Sequence, residues 1–289
     1  MVIVFNPVAG RRRAYLLWRV LDVLVANGVR LHLAETTRPG HAEALARDAV
    51  RRGADLVVAA GGDGTIAEVA NGLIGSGARL GVIPLGTANV LAHELDLPFG
   101  PRAVAAALAF GRTTTLWPGL AKGTDGDRLF VQMVGVGFDA QVVRNLSFPL
   151  KKLLGKGAYV LQSVREMLRY PFPSIHLRID DLETRTASVI VSKGRLYGGN
   201  FRLVPDARPS EPGFSVVLFD HAGPAAALMY GTALPLNLLG KAPGVRHLRA
   251  ASISIIGNQT LPIQTDGDCG GYTPVSITDA AGPIRIVTG

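Results

Sequence analysis

Five consecutive residues, Gly61-Gly62-Asp63-Gly64-Thr65, combine features that a bound phosphate requires of a protein backbone. Glycines let main chain pass close to a ligand in conformations that a side chain would block. They follow a continuous apolar run, Ala54 to Ala60, and precede a segment with helical spacing. That places them at the carboxyl end of a buried strand, where open parallel sheets collect ligands. Thr65 and Glu68 have the spacing of a capping box, which predicts a helix starting at Thr65 with its free N–H groups and dipole facing the loop. Asp63 is the discordant member. A carboxylate repels phosphate unless a divalent cation separates them or the group moves a proton. The alternative is a tight turn in which Asp63 caps backbone amides.

Two further loops have similar chemistry. Asn6-Pro7-Val8-Ala9-Gly10 follows a first strand and leads into Arg11 to Arg13, while Pro84-Leu85-Gly86-Thr87-Ala88-Asn89 follows a fourth. Three polar, glycine-bearing loops at one edge of a sheet would converge on one ligand. Other nucleotide motifs are missing: there is no Gly-x-x-x-x-Gly-Lys-Ser/Thr, and the first turn lacks Gly-x-Gly-x-x-Gly.

The elements that must position these loops alternate in type. Val2 to Phe5, Val29 to Ala34, Ala54 to Ala60 and Leu80 to Ile83 read as strands. Ala14 to Ala26, His41 to Arg52, Thr65 to Leu73, Asn89 to Leu95 and Arg102 to Phe110 read as helices. Such alternation implies a parallel sheet covered by helices. After Trp117-Pro118 the pattern changes to strands in turn-rich sequence: Leu129 to Val134, Ser174 to Ile179, Ala187 to Ser192, Phe214 to Phe219, Ser252 to Ile256 and Ile284 to Val287. One helical stretch, Lys151 to Arg169, interrupts them. The expectation is an α/β chain with two domains, a nucleotide-binding domain over 1–117 and a β-sandwich-like domain over 118–289.

Composition narrows the class. Nearly half of the 289 residues are apolar and the formal charge is +8, from 30 basic and 22 acidic side chains, which favours anionic partners. No zinc-finger, basic-zipper or aromatic RNA-binding pattern occurs, so nucleic acid is not expected as a partner. The lone Cys269 and the lack of a signal peptide point to a reducing, cytoplasmic setting. The longest apolar run, Pro224 to Gly240, is broken by Gly231 and Pro235 and falls short of a bilayer span.

Taken together, these landmarks resemble the diacylglycerol kinase and sphingosine kinase superfamily, in particular its soluble bacterial lipid kinases. They are Asn6-Pro7-x-Ala9-Gly10, Thr36 with Gly40, Gly61 to Thr65 with Glu68, Gly86-Thr87-x-Asn89, Gly135-Val136-Gly137-Phe138-Asp139, Pro205-Asp206-Ala207 and Asp266-Gly267-Asp268, in family order along nearly the whole chain. The glycine loop is shared with NAD kinases and phosphofructokinases, so the lipid-kinase resemblance rests on 135–139 and 266–268. It implies a phosphofructokinase- and NAD-kinase-like first domain, with ATP in a cleft against Asn6, Pro7, Gly10, Gly61, Gly62, Asp63, Gly64, Thr65, Glu68, Gly86 and Asn89, and with Thr36 and Thr87 touching the nucleotide. Mg2+ would sit at Asp63, Asp139 would orient the acceptor, and Asp266 or Asp268 would be the base for its hydroxyl.

Three positions depart from the family. Val90 stands where diacylglycerol kinases carry aspartate, as in sphingosine kinases. Asp268 is one methylene shorter than the usual glutamate. Many bacterial members hold a structural magnesium with Asp-Asp-Gly after Pro-Asp-Ala, whereas this chain reads Arg208-Pro209-Ser210-Glu211-Pro212-Gly213, leaving only Glu211 as that ligand.

Around the helical stretch, Leu146 to Arg169 mixes apolar and basic residues. Two readings stand for it: an interfacial helix on a peripheral anionic membrane, each basic residue adding about 1 kcal/mol, or a packed helix with a solvated basic face. The leading expectation is an ATP-dependent kinase for a diacylglycerol-like lipid, transiently membrane-associated, with room for a homodimer. A sphingosine-type or soluble acceptor such as NAD, or a nucleotide-binding module with weak catalysis, are the alternatives.

Overall fold

A computed structural model describes residues 1–8, 14–146, 156–257 and 259–289. The chain divides into two compact units, Met1–Pro118 with Ala280–Gly289, and Gly119–Asp279.

The first unit alternates as its apolar periodicity requires: β1 (Val2–Phe5), α1 (Ala14–Ala26), β2 (His32–Glu35), α2 (His41–Arg51), β3 (Leu56–Gly61), α3 (Asp63–Leu73), β4 (Arg79–Pro84), α4 (Val90–Glu94), α5 (Pro101–Phe110) and β5 (Thr113–Leu116). Strands β2, β1, β3 and β4 are neighbours in that order and all parallel. Every residue of β3 is buried, as a central parallel strand covered on both faces must be. A core around Ile3, Leu17, Leu24, Val58, Ile83 and Leu108 fixes α1 and α5 against the sheet. The second expected strand lies later than anticipated, at His32–Glu35, and the third helix begins two residues earlier, at Asp63.

The second unit contains β6 (Gly119–Gly123), β7 (Gly126–Phe130), β8 (Met133–Val136), α6 (Phe138–Asn145), α7 (Lys156–Met167), β9 (Ile175–Ile179), β10 (Leu182–Thr186), β11 (Ser188–Ser192), β12 (Leu196–Tyr197), β13 (Phe201–Arg202), β14 (Phe214–Phe219), α8 (Pro224–Ala233), β15 (Val245–Ala250), β16 (Ile253–Ile256), β17 (Pro262–Thr265), β18 (Asp268–Tyr272) and β19 (Val275–Asp279). Two six-stranded antiparallel sheets form, ordered β10-β9-β16-β19-β6-β7 and β15-β14-β11-β8-β17-β18. They share a core of Phe130, Phe214, Val216, Ile253 and Ile277. The single strand expected over Leu129 to Val134 is really two. Phe130 ends β7 in one sheet, Met133 starts β8 in the other, and Val131-Gln132 make the crossing.

The last strand, β20 (Ile284–Val287), corrects the expected domain extent of 118–289. It pairs parallel with β4 and antiparallel with β5, so 280–289 belong to the first unit. Its alternation of buried Ile284 and Ile286 with exposed Arg285 suits either unit. The sheet it joins is decided by pairing, which composition does not record.

Candidate functional site

The parallel register brings the first unit's loops to one edge. Phe5 lies beside Ala60 and Glu35, and Gly61 beside Pro84, so the residues that follow each strand leave the sheet together. They are then laced to one another. Asn6 donates its side-chain amide to Thr65 Oγ1 at 3.0 Å, and its backbone N–H goes to the Ala60 carbonyl at 3.0 Å. Leu85 and Gly86 donate to the Gly61 carbonyl at 2.9 and 3.2 Å. A Cβ on Gly86 would fall 2.6 Å from Gly62 Cα and 2.7 Å from Asn89 Oδ1, so glycine is what lets these loops touch. Asn89, with φ 48°, turns the chain into α4 and bonds the Gly86 carbonyl at 2.8 Å. Left-handed backbone suits asparagine better than most residues. Thr36 is buried and its N–H meets the Phe5 carbonyl at 2.8 Å, while Thr87 is exposed at the rim. Gly10 and the neighbouring Arg11 to Arg13 lie outside the described residues.

The acids of α3 are used differently from the capping-box expectation. The helix starts at Asp63 with Gly62 as an extended N-cap and no side-chain cap, which leaves first-turn N–H groups available to an anion. Thr65 is already inside the first turn. Glu68 crosses to α2, accepting the N–H of Gly40 at 2.8 Å and of Ala42 at 3.0 Å, and so holds the N-terminus of that helix. Asp63 accepts the Leu91 N–H at 3.2 Å, at the start of α4. Burial raises the proton affinity of Asp63 above the ordinary carboxylate, and amides of residues 89–91 partly offset this. Among the described residues no cationic side chain pairs with it.

In the second unit the Asp-Gly-Asp segment is the turn of the β17–β18 hairpin. Asp266 (φ 49°) and Gly267 (φ 82°) are both left-handed, as a two-residue hairpin turn demands. Asp266 accepts three backbone N–H groups, from Val131, Gln132 and Met133, each at 2.8 Å. It therefore fastens the sheet-to-sheet crossing. Asp268 is exposed, and its carboxylate has no hydrogen bond or ion pair among the described residues. Two acids that the sequence left equivalent are thus separated by their surroundings.

Asp139 stands in the first turn of α6, after Gly137 at φ 109°. Tyr197 Oη donates to Asp139 Oδ1, and Gln264 lies alongside. Burial raises the proton affinity of Asp139, with Tyr197 and then Gln264 offsetting it. Burial together with the Asp139 charge pushes the Tyr197 phenol well above its ordinary value. Gln264 also accepts the Gly267 N–H at 2.8 Å, linking α6 to the hairpin turn. The Glu211 carboxylate is turned to Arg208, 2.8 Å away. Among the described residues no cluster of three or more metal-ligating side chains forms. Tyr197 and Gln264 escaped the sequence reading: Tyr197 ends a two-residue strand and Gln264 sits between Ile263 and Thr265, and neither setting marks a shared partner at Asp139.

Helix α7 inverts the usual amphipathic pattern. It buries Gln162 and Glu166, which bond each other at 2.7 Å, and exposes Val160, Leu161 and Val164, with Leu168 following at 82% exposure. Arg165 and Arg169 are exposed beside them. Leu150, Lys151, Lys152, Leu153 and Leu154 of the expected basic helix lie outside the described residues. Among the described residues no helix is long and apolar enough to cross a membrane.

Comparison with known proteins gives two family matches. Residues 1–119 match the diacylglycerol kinase catalytic domain, and 132–288 match the YegS C-terminal NAD kinase beta sandwich-like domain. The chain is 28% identical over 294 residues to a diacylglycerol kinase of Staphylococcus epidermidis, covering 99% of this chain and 91% of that protein. It is 31% identical over 248 residues to a Chromohalobacter salexigens protein named "Probable lipid kinase YegS-like", covering 83% and 78%. The crystal structure of a diacylglycerol kinase from Bacillus anthracis superposes with a TM-score of 0.72 at 20% identity, covering 100% of this chain and 96% of that one, a likeness of fold.

Proposed function

This chain belongs to the diacylglycerol kinase and YegS-like lipid kinase family, and from that premise we propose that it transfers the γ-phosphoryl group of MgATP to the hydroxyl of a diacylglycerol-like lipid. The observation that carries the nucleotide half is the laced rim of the first unit. The loops after β3 and β4 present glycine backbone, Asn6 after β1 is tied to them, and α3 offers an uncapped helix N-terminus at the same sheet edge. The acids on α3 do not spoil it, because Glu68 is committed to α2 and Asp63 is a partly buried carboxylate with no cationic partner among the described residues. Such a carboxylate fits the magnesium that accompanies ATP, which would reduce the repulsion between phosphate oxygens and acid.

For the acceptor half, Asp268 is the base and Asp266 a positioning residue. Proton abstraction needs a carboxylate with oxygens to spare. Those of Asp266 hold three amides; those of Asp268 have no partner among the described residues. Asp268 takes the hydroxyl proton as the lipid oxygen forms its bond to the γ-phosphorus. The bond from that phosphorus to the bridging oxygen breaks, and ADP leaves. Asp139, with its oxygens facing Tyr197 and Gln264, supports the acceptor region from within. The outward apolar residues of α7, flanked by Arg165 and Arg169, suit the surface of an anionic bilayer from which such a lipid is drawn.

The test is incubation with labelled ATP, magnesium, mixed-lipid vesicles and NAD, followed by identification of the labelled product. Label in a phosphorylated glycerolipid, lost in Asp268→Asn, is the expected result. Label appearing instead in NAD, or equal transfer by Asp268→Asn, would overturn the reading.

A further inference from the structure

Among the described residues Lys193 is the most buried charge in the second unit, with its side chain fully shielded at the end of β11. A buried ammonium is costly unless each of its three N–H groups finds an acceptor. Here each does: the Glu211 carbonyl at 3.2 Å, the Gly213 carbonyl at 2.9 Å and Asp279 Oδ1 at 2.8 Å. The Phe214 ring lies 4.7 Å from Nζ, adding a cation–π contact. Asp279 closes the arrangement by accepting the Gly213 N–H at 2.7 Å through its other oxygen. The intervening carbonyl, of Pro212, is taken by Arg249 at 3.3 Å. Three successive carbonyls therefore all face cationic side chains.

This is the turn where the family resemblance implies a structural divalent ion, and its residues do not fit one. The carbonyl oxygens at 211 and 213 are occupied by the ammonium, Pro212 offers no side-chain ligand, and the Glu211 carboxylate pairs with Arg208. A divalent ion added here would meet a fixed positive charge. We infer that Lys193 is the resident cation of the 211–213 turn, so that the second unit folds without a divalent ion and magnesium enters this protein only with the nucleotide. Charge and geometry both agree. The ammonium gathers two carbonyls and a carboxylate, as a hard cation would, but it is covalently attached and cannot be removed by a chelator. Burial lowers the proton affinity of Lys193, and Asp279 counteracts that shift.

The inference stands apart from the assignment of acceptor and base, and its test needs no turnover. Thermal unfolding of the full nucleotide-free chain is recorded in excess chelator, magnesium or calcium. The midpoint should be the same in all three, and calorimetric titration of the nucleotide-free protein with magnesium should show no binding. Stabilisation by either ion, or a heat of binding saturating at one site, would overturn the inference. Lys193→Met strands Asp279 and two carbonyls, so its midpoint should fall by roughly 5 °C or more, while Lys193→Arg keeps the charge and loses less. If Lys193→Met melts like wild type, the ammonium does not hold the turn and the idea fails. Should Lys193→Met prove insoluble, the ion titrations on wild type still decide the matter.

Discussion

The rim of the first unit and the hairpin turn of the second display their acids by contrasting means. At the rim, loop is bound to loop: Asn6 to Thr65, Gly62 against Gly86, Asp63 to the start of α4, Glu68 to the start of α2. In the hairpin one acid does all of the fastening and its neighbour does none. Asp266 holds the crossing at 131–133, and Asp268, two residues on, stands in solvent. The rim looks like a rigid receptor for a ligand that must be gripped in one pose. The turn looks like a mount, with a structural acid carrying a chemical one.

The sharpest attack on this contrast is at Asp63. Asparagine keeps an oxygen for the Leu91 N–H but loses the charge. Asp63→Asn should cut turnover by about 10³-fold, as loss of a charge-neutralising group in phosphoryl transfer does, without unfolding the protein. Steady-state kinetics with varied MgATP would check it. Near-wild-type rates would reduce Asp63 to a cap.

A somewhat smaller loss separates the hairpin acids. Asp268→Asn should lower kcat by roughly 10²-fold or more, leaving the MgATP KM and the melting temperature unchanged. Asp266→Ala should do the reverse first, costing about 3 kcal/mol in denaturant unfolding, because three buried amides lose their acceptor. If both variants lost only activity, the division between mount and base would be wrong.

Glu68 sharpens the rim. The resemblance grouped it with nucleotide-binding residues, yet its carboxylate is spent on α2. Glu68→Ala should cost about 1–2 kcal/mol of stability through the lost helix-end bonds, with little change in MgATP affinity once folded. Equilibrium unfolding together with nucleotide titration distinguishes this from direct binding.

The contrast also explains what could be read in the residues beforehand. The glycine loops were legible because their signals are local: an apolar strand, a turn without Cβ atoms, then a helix. The two-unit fold followed from the change of periodicity near residue 117. Roles set by distant partners left no such mark. Glu68 acts on amides 26 and 28 residues away, Asp266 on amides 133 to 135 residues away, and Lys193 on an acid 86 residues away. Nothing near Asp266 and Asp268 distinguishes the acid that is tied from the one that is not. The inverted face of α7 was hidden for a related reason, since composition counts its leucines and valines without saying which side they take.

The smallest expected effect is a dependence on pH. Folding raises the proton affinity of Asp63 above its ordinary value of 3.8, chiefly by burial. Its contribution to stability is therefore present in acid, below that ordinary value, and is lost as pH rises through the higher folded one. Asparagine at this position removes the slope while keeping the bond to Leu91. Nucleotide-free Asp63→Asn should accordingly melt slightly higher than wild type at neutral pH, and the advantage should shrink toward pH 4. Adding MgATP should reverse the order, because only the wild-type carboxylate can use the metal's charge. Differential scanning calorimetry across that range, with and without nucleotide, measures both differences. A variant less stable than wild type at neutral pH without nucleotide would mean that the charged carboxylate is welcome in the bare rim, and that the lacing there already supplies the positive potential assigned here to magnesium.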